Sequence, residues 1–117
     1  MITLGVDVGT THTKVLALDA ERGEALAIES ATTPVVEDGA GSAHPPTQVL
    51  ETVVALCRRV VGRLADPARV RALCVASVGE EVVLVDRAGA PVGDAITWYD
   101  PRGLAEALSL IHISEPT

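Results

Sequence analysis

Three apolar runs in the first thirty residues are separated by connections too short to hold anything but tight turns. The runs cover Ile2–Val8, residues 13–19 and residues 24–30, and the second connection contains the turn-forming sequence Glu-Arg-Gly. Strands joined by such short connections pair with their sequence neighbours in an antiparallel arrangement. The chain therefore begins with a predicted three-stranded meander. Its buried side chains must be Val, Leu, Ile and Ala, because aromatic residues make up only 2% of the sequence and Phe is absent.

A loop and one amphipathic helix are predicted after the meander. Residues 32–46 are rich in Pro and Gly, which indicates a loop. Apolar residues then recur at spacings of three and four, which predicts a helix with one buried face. The residues of this predicted face are Val49, Val53, Val54, Cys57, Val60, Val61 and Leu64. Thr47 is the predicted N-cap residue, and Pro67 follows the predicted end of the helix.

A further buried strand completes the predicted element order. The apolar run over residues 69–78 predicts that strand, residues 82–85 resume it after a polar turn, and residues 95–98 form a short extended segment. A second helix begins at Leu104. The order β-β-β-α-β is typical of an α/β protein with a mixed sheet.

The charge balance and the cysteines restrict the partners of the chain and its compartment. Nine basic and sixteen acidic residues give a net charge of −7, which repels nucleic acids and anionic membranes. The N-terminus has no basic leader, and no apolar run approaches the roughly 20 residues of a membrane span. Cys57 and Cys74 lie in apolar runs and are predicted to be buried free thiols. We therefore expect a soluble cytoplasmic protein.

The segment from Asp7 to Lys14 is the strongest candidate for a binding site. Asp7 comes near the end of the first predicted strand, Gly9 allows a sharp bend, and three threonines follow. A tight turn of small polar residues can direct several backbone N–H groups at one anion. A carboxylate beside it can hold Mg²⁺ together with phosphate and water. A plain β-hairpin with a Gly-Thr turn remains the alternative interpretation of this pattern.

Two blocks of the sequence resemble the N-terminal domain of the FGGY family of carbohydrate kinases, in the actin–hexokinase–Hsp70 superfamily. Residues 5–19, GVDVGTTHTKVLALD, resemble the phosphate hairpin of that family. Residues 70–102 resemble a later strand, a polar turn and a segment that ends W-x-D-x-R. The resemblance implies a ribonuclease-H-like half of a two-domain enzyme. It also implies transfer of the γ-phosphoryl group of ATP, with Mg²⁺, to a hydroxyl of a small sugar or polyol.

The first block assigns the residues that would contact the nucleotide. By the resemblance, Asp7 lies near the metal ion, and Thr10, Thr11 and His12 meet the phosphates. Lys14 takes the place of the basic residue that closes the hairpin. His12 departs from the serine often found there, so amide donation is kept and a hydroxyl contact is lost.

The second block assigns the residues that would contact the sugar. Glu80 matches a polyol-binding carboxylate, whereas the role of Glu81 stays open. Asp100 and Arg102 match the ending that borders the sugar pocket. Trp98 is either a packing surface for the sugar or part of the core.

Catalysis requires groups that the resemblance assigns to later segments of the family. No residue of this chain matches the catalytic aspartate or the adenosine pocket, so we expect the 117-residue chain alone to be inactive. Three alternatives remain: another kinase of the same superfamily, of ROK or acetate-kinase type, a noncatalytic nucleotide-binding or interaction module, and a soluble α/β domain without a ligand. ROK and acetate kinases share the D-x-G-x-T pattern but lack the W-x-D-x-R ending.

The last ten residues, LSLIHISEPT, resemble the translation of a sequencing-library adaptor. We therefore expect residues 1–107 to be a partial FGGY kinase domain and residues 108–117 to be an artefactual tail without function.

Overall fold

The computed structural model describes residues 1–114, with side chains described to residue 111, and it consists of two small sheets and two helices. In chain order the elements are β1 (Ile2–Val8), β2 (His12–Asp19), β3 (Glu24–Thr32), β4 (Val36–Asp38), β5 (Gly41–His44), α1 (Pro46–Gly62), a 3₁₀ turn (Pro67–Arg69), β6 (Val70–Ser77), β7 (Ala95–Ile96) and α2 (Leu104–Ser114). No helix within residues 1–114 is long and apolar enough to cross a lipid bilayer. The end of the predicted tail, residues 115–117, lies outside the described residues.

The larger sheet has the strand order β3-β2-β1-β6. β1 pairs antiparallel with β2, and β2 pairs antiparallel with β3, which confirms the predicted meander. β6 returns parallel to β1 after α1 has crossed one face of the sheet. Because a parallel pair requires such a crossover connection, the position of the helix in the sequence determines the mixed character of the sheet.

The core lies between α1 and one face of this sheet. Alternate residues of β1 face the helix, as the two-residue period of a strand requires. The buried apolar residues are Ile2, Leu4, Val6, Val15, Ala17, Ala27, Leu56, Val60 and Leu64. The predicted helical face was nearly right, but Val54 is exposed and Leu56 is fully buried in its place. Leu56 lies three residues after Val53 and four before Val60, so it falls on the same helical face as these residues.

The other face of the larger sheet and both faces of β6 are open. α1 packs against β1, β2 and β3, so Leu73 and Val75 of β6 stay exposed. Cys74 is exposed as well. The predictions that this strand and Cys74 are buried were therefore wrong. Cys57 on α1 is half-buried, and this burial raises the pKa of its thiol.

A second, three-stranded sheet has the order β4-β5-β7. The β4–β5 hairpin lies within residues 32–46, so the prediction of a loop was wrong there. Asp38 closes its turn, because Asp38 Oδ1 accepts hydrogen bonds from the backbone N–H groups of Ala40 and Gly41 at 2.8 and 3.0 Å. Such turns use the same Gly and Asp residues as irregular loops, which explains the error. β7 then adds to β5 through the pairs Ala43–Ile96 and His44–Ala95.

Two further local predictions were also wrong. Thr47 lies inside α1, and the N-cap residue is Pro45, which makes no side-chain capping bond. Pro46 starts the helix because its fixed φ is already helical and its missing N–H is not needed there. Residues 82–85 form no strand: the described pairing is an isolated bridge between Val85 and Pro91.

Candidate functional site

The hairpin loop, residues 9–12, connects β1 with β2 and is held from the end of β3. Gly9 N–H donates to the carbonyl of His12 at 3.0 Å, which closes the loop. The Thr33 hydroxyl donates to the Gly9 carbonyl at 2.8 Å, and Thr33 N–H donates to the Thr11 carbonyl at the same distance. The hydroxyls of Thr13 and Thr33 are buried and 2.8 Å apart. Thr33 therefore fixes the loop to the sheet through the carbonyl groups of Gly9 and Thr11, and the bond from Gly9 to His12 keeps the loop closed.

The residues predicted to contact the nucleotide lie at this end of β1 and β2, but only Asp7 and Lys14 line a common groove. Asp7 and Lys14 are directly opposite each other in the strand register. Both line a groove of about 420 Å³ on the open face of the sheet. Thr11 and His12 are exposed in the hairpin loop, and Thr10 is half-buried. Within residues 1–114, no three metal-ligating side chains cluster into a ready-made metal site.

His44 is buried behind the hairpin loop, where the sequence predicted only a loop residue. Its Nδ1 lies 2.6 Å from Glu81 Oε2, and its Nε2 lies 3.1 Å from the carbonyl oxygen of Thr10. The His44 and Glu81 side chains are 7% and 10% exposed. The pair therefore joins β5 and the turn after β6 to the hairpin loop.

Trp98 completes a closed ring of hydrogen bonds with these residues. Its indole Nε1 donates to the Thr10 hydroxyl at 3.1 Å, and its backbone N–H donates to Glu81 Oε1 at 3.4 Å. The indole ring meets Tyr99 edge-on, with ring centres 5.5 Å apart. Trp98 is 54% exposed, so it is not a core residue. We call the ring through Thr10, His44, Glu81 and Trp98 the Thr10 latch.

A cavity of about 440 Å³, here called the rim cavity, lies beside the Thr10 latch. Glu80, Trp98 and Asp100, the three residues predicted to contact the sugar, all line it. The remaining lining residues are Val82, Leu84, Asp94, Ile96, Thr97 and Arg102. Glu81 is bound to His44, and the two adjacent carboxylates therefore have different surroundings.

The Asp100 carboxylate is fully engaged within the chain. Its Oδ2 accepts from Ser42 N–H at 2.6 Å and from Arg102 Nη2 at 3.1 Å. Its Oδ1 accepts from the backbone N–H and the Nε of Arg102 at 2.8 and 3.0 Å. The Arg102 side chain and these backbone donors lower the pKa of Asp100 from 3.8 to about 2. Asp100 thus fixes the β4–β5 hairpin to the segment after β7, and a direct bond from it to a sugar stays a prediction.

Acidification is expected to release Asp100 from these partners. Because its pKa is lowered in the folded protein, the carboxylate stabilises the fold fully above its ordinary value of 3.8, and this stabilisation is lost as the pH falls to about 2. Asp100→Asn should therefore be less stable than the unchanged chain in urea at neutral pH, and the difference should shrink between about pH 4 and pH 2. Glu51→Gln, on the exposed face of α1, is the control. A difference that does not change with pH would contradict this role.

Sequence reasoning missed two residues of the site. His44 precedes two prolines in a Pro- and Gly-rich stretch, and this context is typical of a loop. Thr33 is isolated between the meander and Pro34, without a periodic pattern around it. A histidine at a buried position of a strand indicates a buried polar contact. That signal could be used only after the β4–β5 hairpin had been recognised.

Residues 2–115 match the family model described as the N-terminal domain of the FGGY family of carbohydrate kinases. The chain belongs to this family. The match confirms the resemblance found in the two sequence blocks, and it argues against the ROK-type and acetate-kinase-type alternatives. The match extends past residue 107, so an end of the domain at that position stays a prediction.

One curated protein and two solved structures with similarity to this chain are glycerol or xylulose kinases. A glycerol kinase from Albidiferax ferrireducens is 29% identical over 101 residues, which cover 85% of this chain and 20% of that protein. The solved xylulose kinase from Rhodospirillum rubrum superposes with a TM-score of 0.86 at 23% identity, over 98% of this chain and 24% of that one. Plasmodium falciparum glycerol kinase with ADP gives a TM-score of 0.78 at 20% identity, over 98% and 23%.

These structures confirm the predicted fold class. The chain has the mixed α/β, ribonuclease-H-like fold of the FGGY sugar kinases. It spans about a fifth of the length of the curated relative that it matches.

Proposed function

We propose that the chain acts as the N-terminal part of a longer ATP-dependent kinase that phosphorylates a hydroxyl group of a small sugar or polyol. Family membership supports the reaction class. The observation that carries the proposal is the 3.1 Å bond between Trp98, which lines the rim cavity, and Thr10 in the hairpin loop. Because of this bond, a sugar in the rim cavity and phosphates at the hairpin loop would be neighbours, as in-line transfer requires.

The rim cavity suits a small polyhydroxylated ligand. Its volume lies within the range of small-molecule sites. The Glu80 carboxylate can accept hydrogen bonds from two adjacent hydroxyls, a pattern that distinguishes polyols from apolar molecules. The exposed indole of Trp98 offers an apolar face for the C–H side of the ligand, and Leu84 adds an apolar wall. Asp100 holds the cavity wall in place through Ser42.

The residues at the hairpin loop fit a magnesium-bound nucleotide. Asp7 supplies one exposed carboxylate, and Mg²⁺ commonly uses one or two carboxylates together with phosphates and water. Lys14 lies opposite Asp7 and can neutralise phosphate charge. Backbone N–H groups of the half-buried Thr10 and the exposed Thr11 and His12 would donate to the phosphates. Bound Mg·ATP would supply the transferable phosphoryl group and the charge neutralisation that this transfer needs.

Ligand binding can be tested directly, because Trp98 is the only tryptophan of the chain. We expect glycerol or xylulose to change the emission of Trp98 in a saturable way. Glu80→Gln should weaken the binding about tenfold or more, since it removes a charged acceptor of hydroxyl hydrogen bonds. The measurement is a fluorescence titration of the purified chain with each polyol, and a parallel assay for ATP turnover by the chain alone should give none.

The control separates this site from general charge effects. Glu51→Gln removes the same charge from the exposed face of α1 and should leave the titration unchanged. A saturable response that Glu80→Gln does not weaken would overturn the assigned role of Glu80. Absence of any response to polyols, together with binding of Mg·ATP, would favour the nucleotide-binding module over the kinase.

A further inference from the structure

His44 and Glu81 are the most deeply buried ionisable pair that the proposed reaction does not use. They lie between the hairpin loop and the rim cavity, and each of them makes two hydrogen bonds within the Thr10 latch. Burying such a pair is unfavourable unless the geometry is good and the remaining bonds are satisfied. The latch meets this condition, since no side-chain N or O atom buried within the described residues is left without a partner.

The partners of His44 determine how many protons the pair holds. The Thr10 carbonyl can only accept, so Nε2 of His44 must carry a hydrogen. An ionised Glu81 can also only accept, so one further proton must lie between Nδ1 and Oε2. The 2.6 Å separation is short for a hydrogen bond between nitrogen and oxygen. His44 therefore hydrogen-bonds to the hairpin loop through Nε2 and to Glu81 through Nδ1 at the same time.

We propose that His44 is a positioning residue that holds the hairpin loop in register with the rim cavity. Thr10 is bound from two directions, at its carbonyl by His44 and at its hydroxyl by Trp98. Glu81 binds both of these partners and thereby fixes their separation. The benefit of holding the loop in register rests on the proposed function, whereas the hydrogen bonds of the latch form without any ligand. This positioning role also assigns Glu81 to the latch instead of to the sugar.

The latch can be tested in the ligand-free chain by NMR. Because Trp98 is the only tryptophan, its indole N–H gives one resonance that needs no further assignment. Thr10→Val removes the acceptor of the indole N–H and gives the reference position of a broken latch. His44→Phe should move the indole resonance toward that position, and the solvent exchange of the indole N–H should rise about tenfold. Thr11→Val, the same change one residue away, should leave the resonance in place.

A conservative variant separates positioning from mere stability. His44→Gln keeps a side-chain donor for either Thr10 or Glu81 but not for both, so the indole resonance should lie between the unchanged and the broken positions. It also replaces His44→Phe in the test if that variant does not fold. A folded His44→Phe or, failing that, a His44→Gln chain with an unshifted indole resonance would overturn the proposal. A shifted resonance in a chain whose Trp98 emission does not respond to polyols would support the latch and overturn the proposed sugar site at the rim cavity.

Discussion

Replacing Gly41 with alanine is expected to detach the β4–β5 hairpin from Asp100. An ideal Cβ on Gly41 would overlap Asp100 Oδ2 and lie 2.6 Å from its Cγ. Gly41 also has a φ of +150°, which side-chain-bearing residues rarely adopt. The Asp100 carboxylate cannot move aside without losing its bond from the backbone N–H of Ser42. We expect a loss of about 2–4 kcal/mol in the free energy of unfolding, measured in urea.

Gly39 provides the matched control for this substitution. It lies in the same hairpin, and a Cβ there would have no atom within 4 Å. Gly39→Ala should therefore change the stability by less than about 0.5 kcal/mol. Gly41→Ala should also reduce the pH dependence expected for Asp100, because the carboxylate would no longer accept from Ser42 while it keeps its bonds from Arg102. Equal stability of the two variants would show that the Asp100 contact does not hold the hairpin.

The meander and the helix could be predicted because their signals are local. Alternating apolar residues and short turns define β1 to β3 without any knowledge of distant partners. The mixed character of the sheet followed from the helix between the meander and β6, but the choice of β1 as the partner of β6 was not predicted. The second sheet could not be predicted in this way. β5 and β7 are joined by the pairing of Ala43 with Ile96, which lie far apart in the sequence, and neither strand is longer than four residues.

The residues of the candidate site also differ in whether a local sequence signal could predict them. Asp7 and Lys14 could be selected because a Gly-Thr bend between strands is visible in the sequence, and the strand register then brings them opposite each other. Glu80 and Trp98 could be selected only through the family resemblance, because the rim cavity joins segments that are separate in the chain. His44 was missed because its contacts with Glu81 and Thr10 depend on the unpredicted hairpin. The buried contacts of His44 and Glu81 depend on tertiary structure, so no local sequence pattern predicts them.

Gly9 is expected to be the most sensitive position of the hairpin loop. A Cβ there would lie 2.7 Å from the carbonyl oxygen of His12, and this oxygen accepts the bond that closes the loop. The conflict is with backbone, which cannot rotate away as a flexible side chain could. Gly9→Ala should therefore widen the loop and break the bond from Thr33 to the Gly9 carbonyl. We expect a loss of about 2–3 kcal/mol in the free energy of unfolding in urea.

The same substitution should be detectable at the Thr10 latch. A wider loop moves the Thr10 carbonyl and hydroxyl away from His44 and Trp98, so the indole resonance of Trp98 should shift toward the position found for Thr10→Val. Gly5→Ala is the control, because Gly5 lies in β1, the strand that leads into the loop, and a Cβ there would have no atom within 4 Å. If Gly9→Ala were as stable as Gly5→Ala and kept the indole resonance in place, the hairpin loop would be too compliant to set the distance between phosphates and sugar. The geometric basis of the proposed phosphoryl transfer would then be lost.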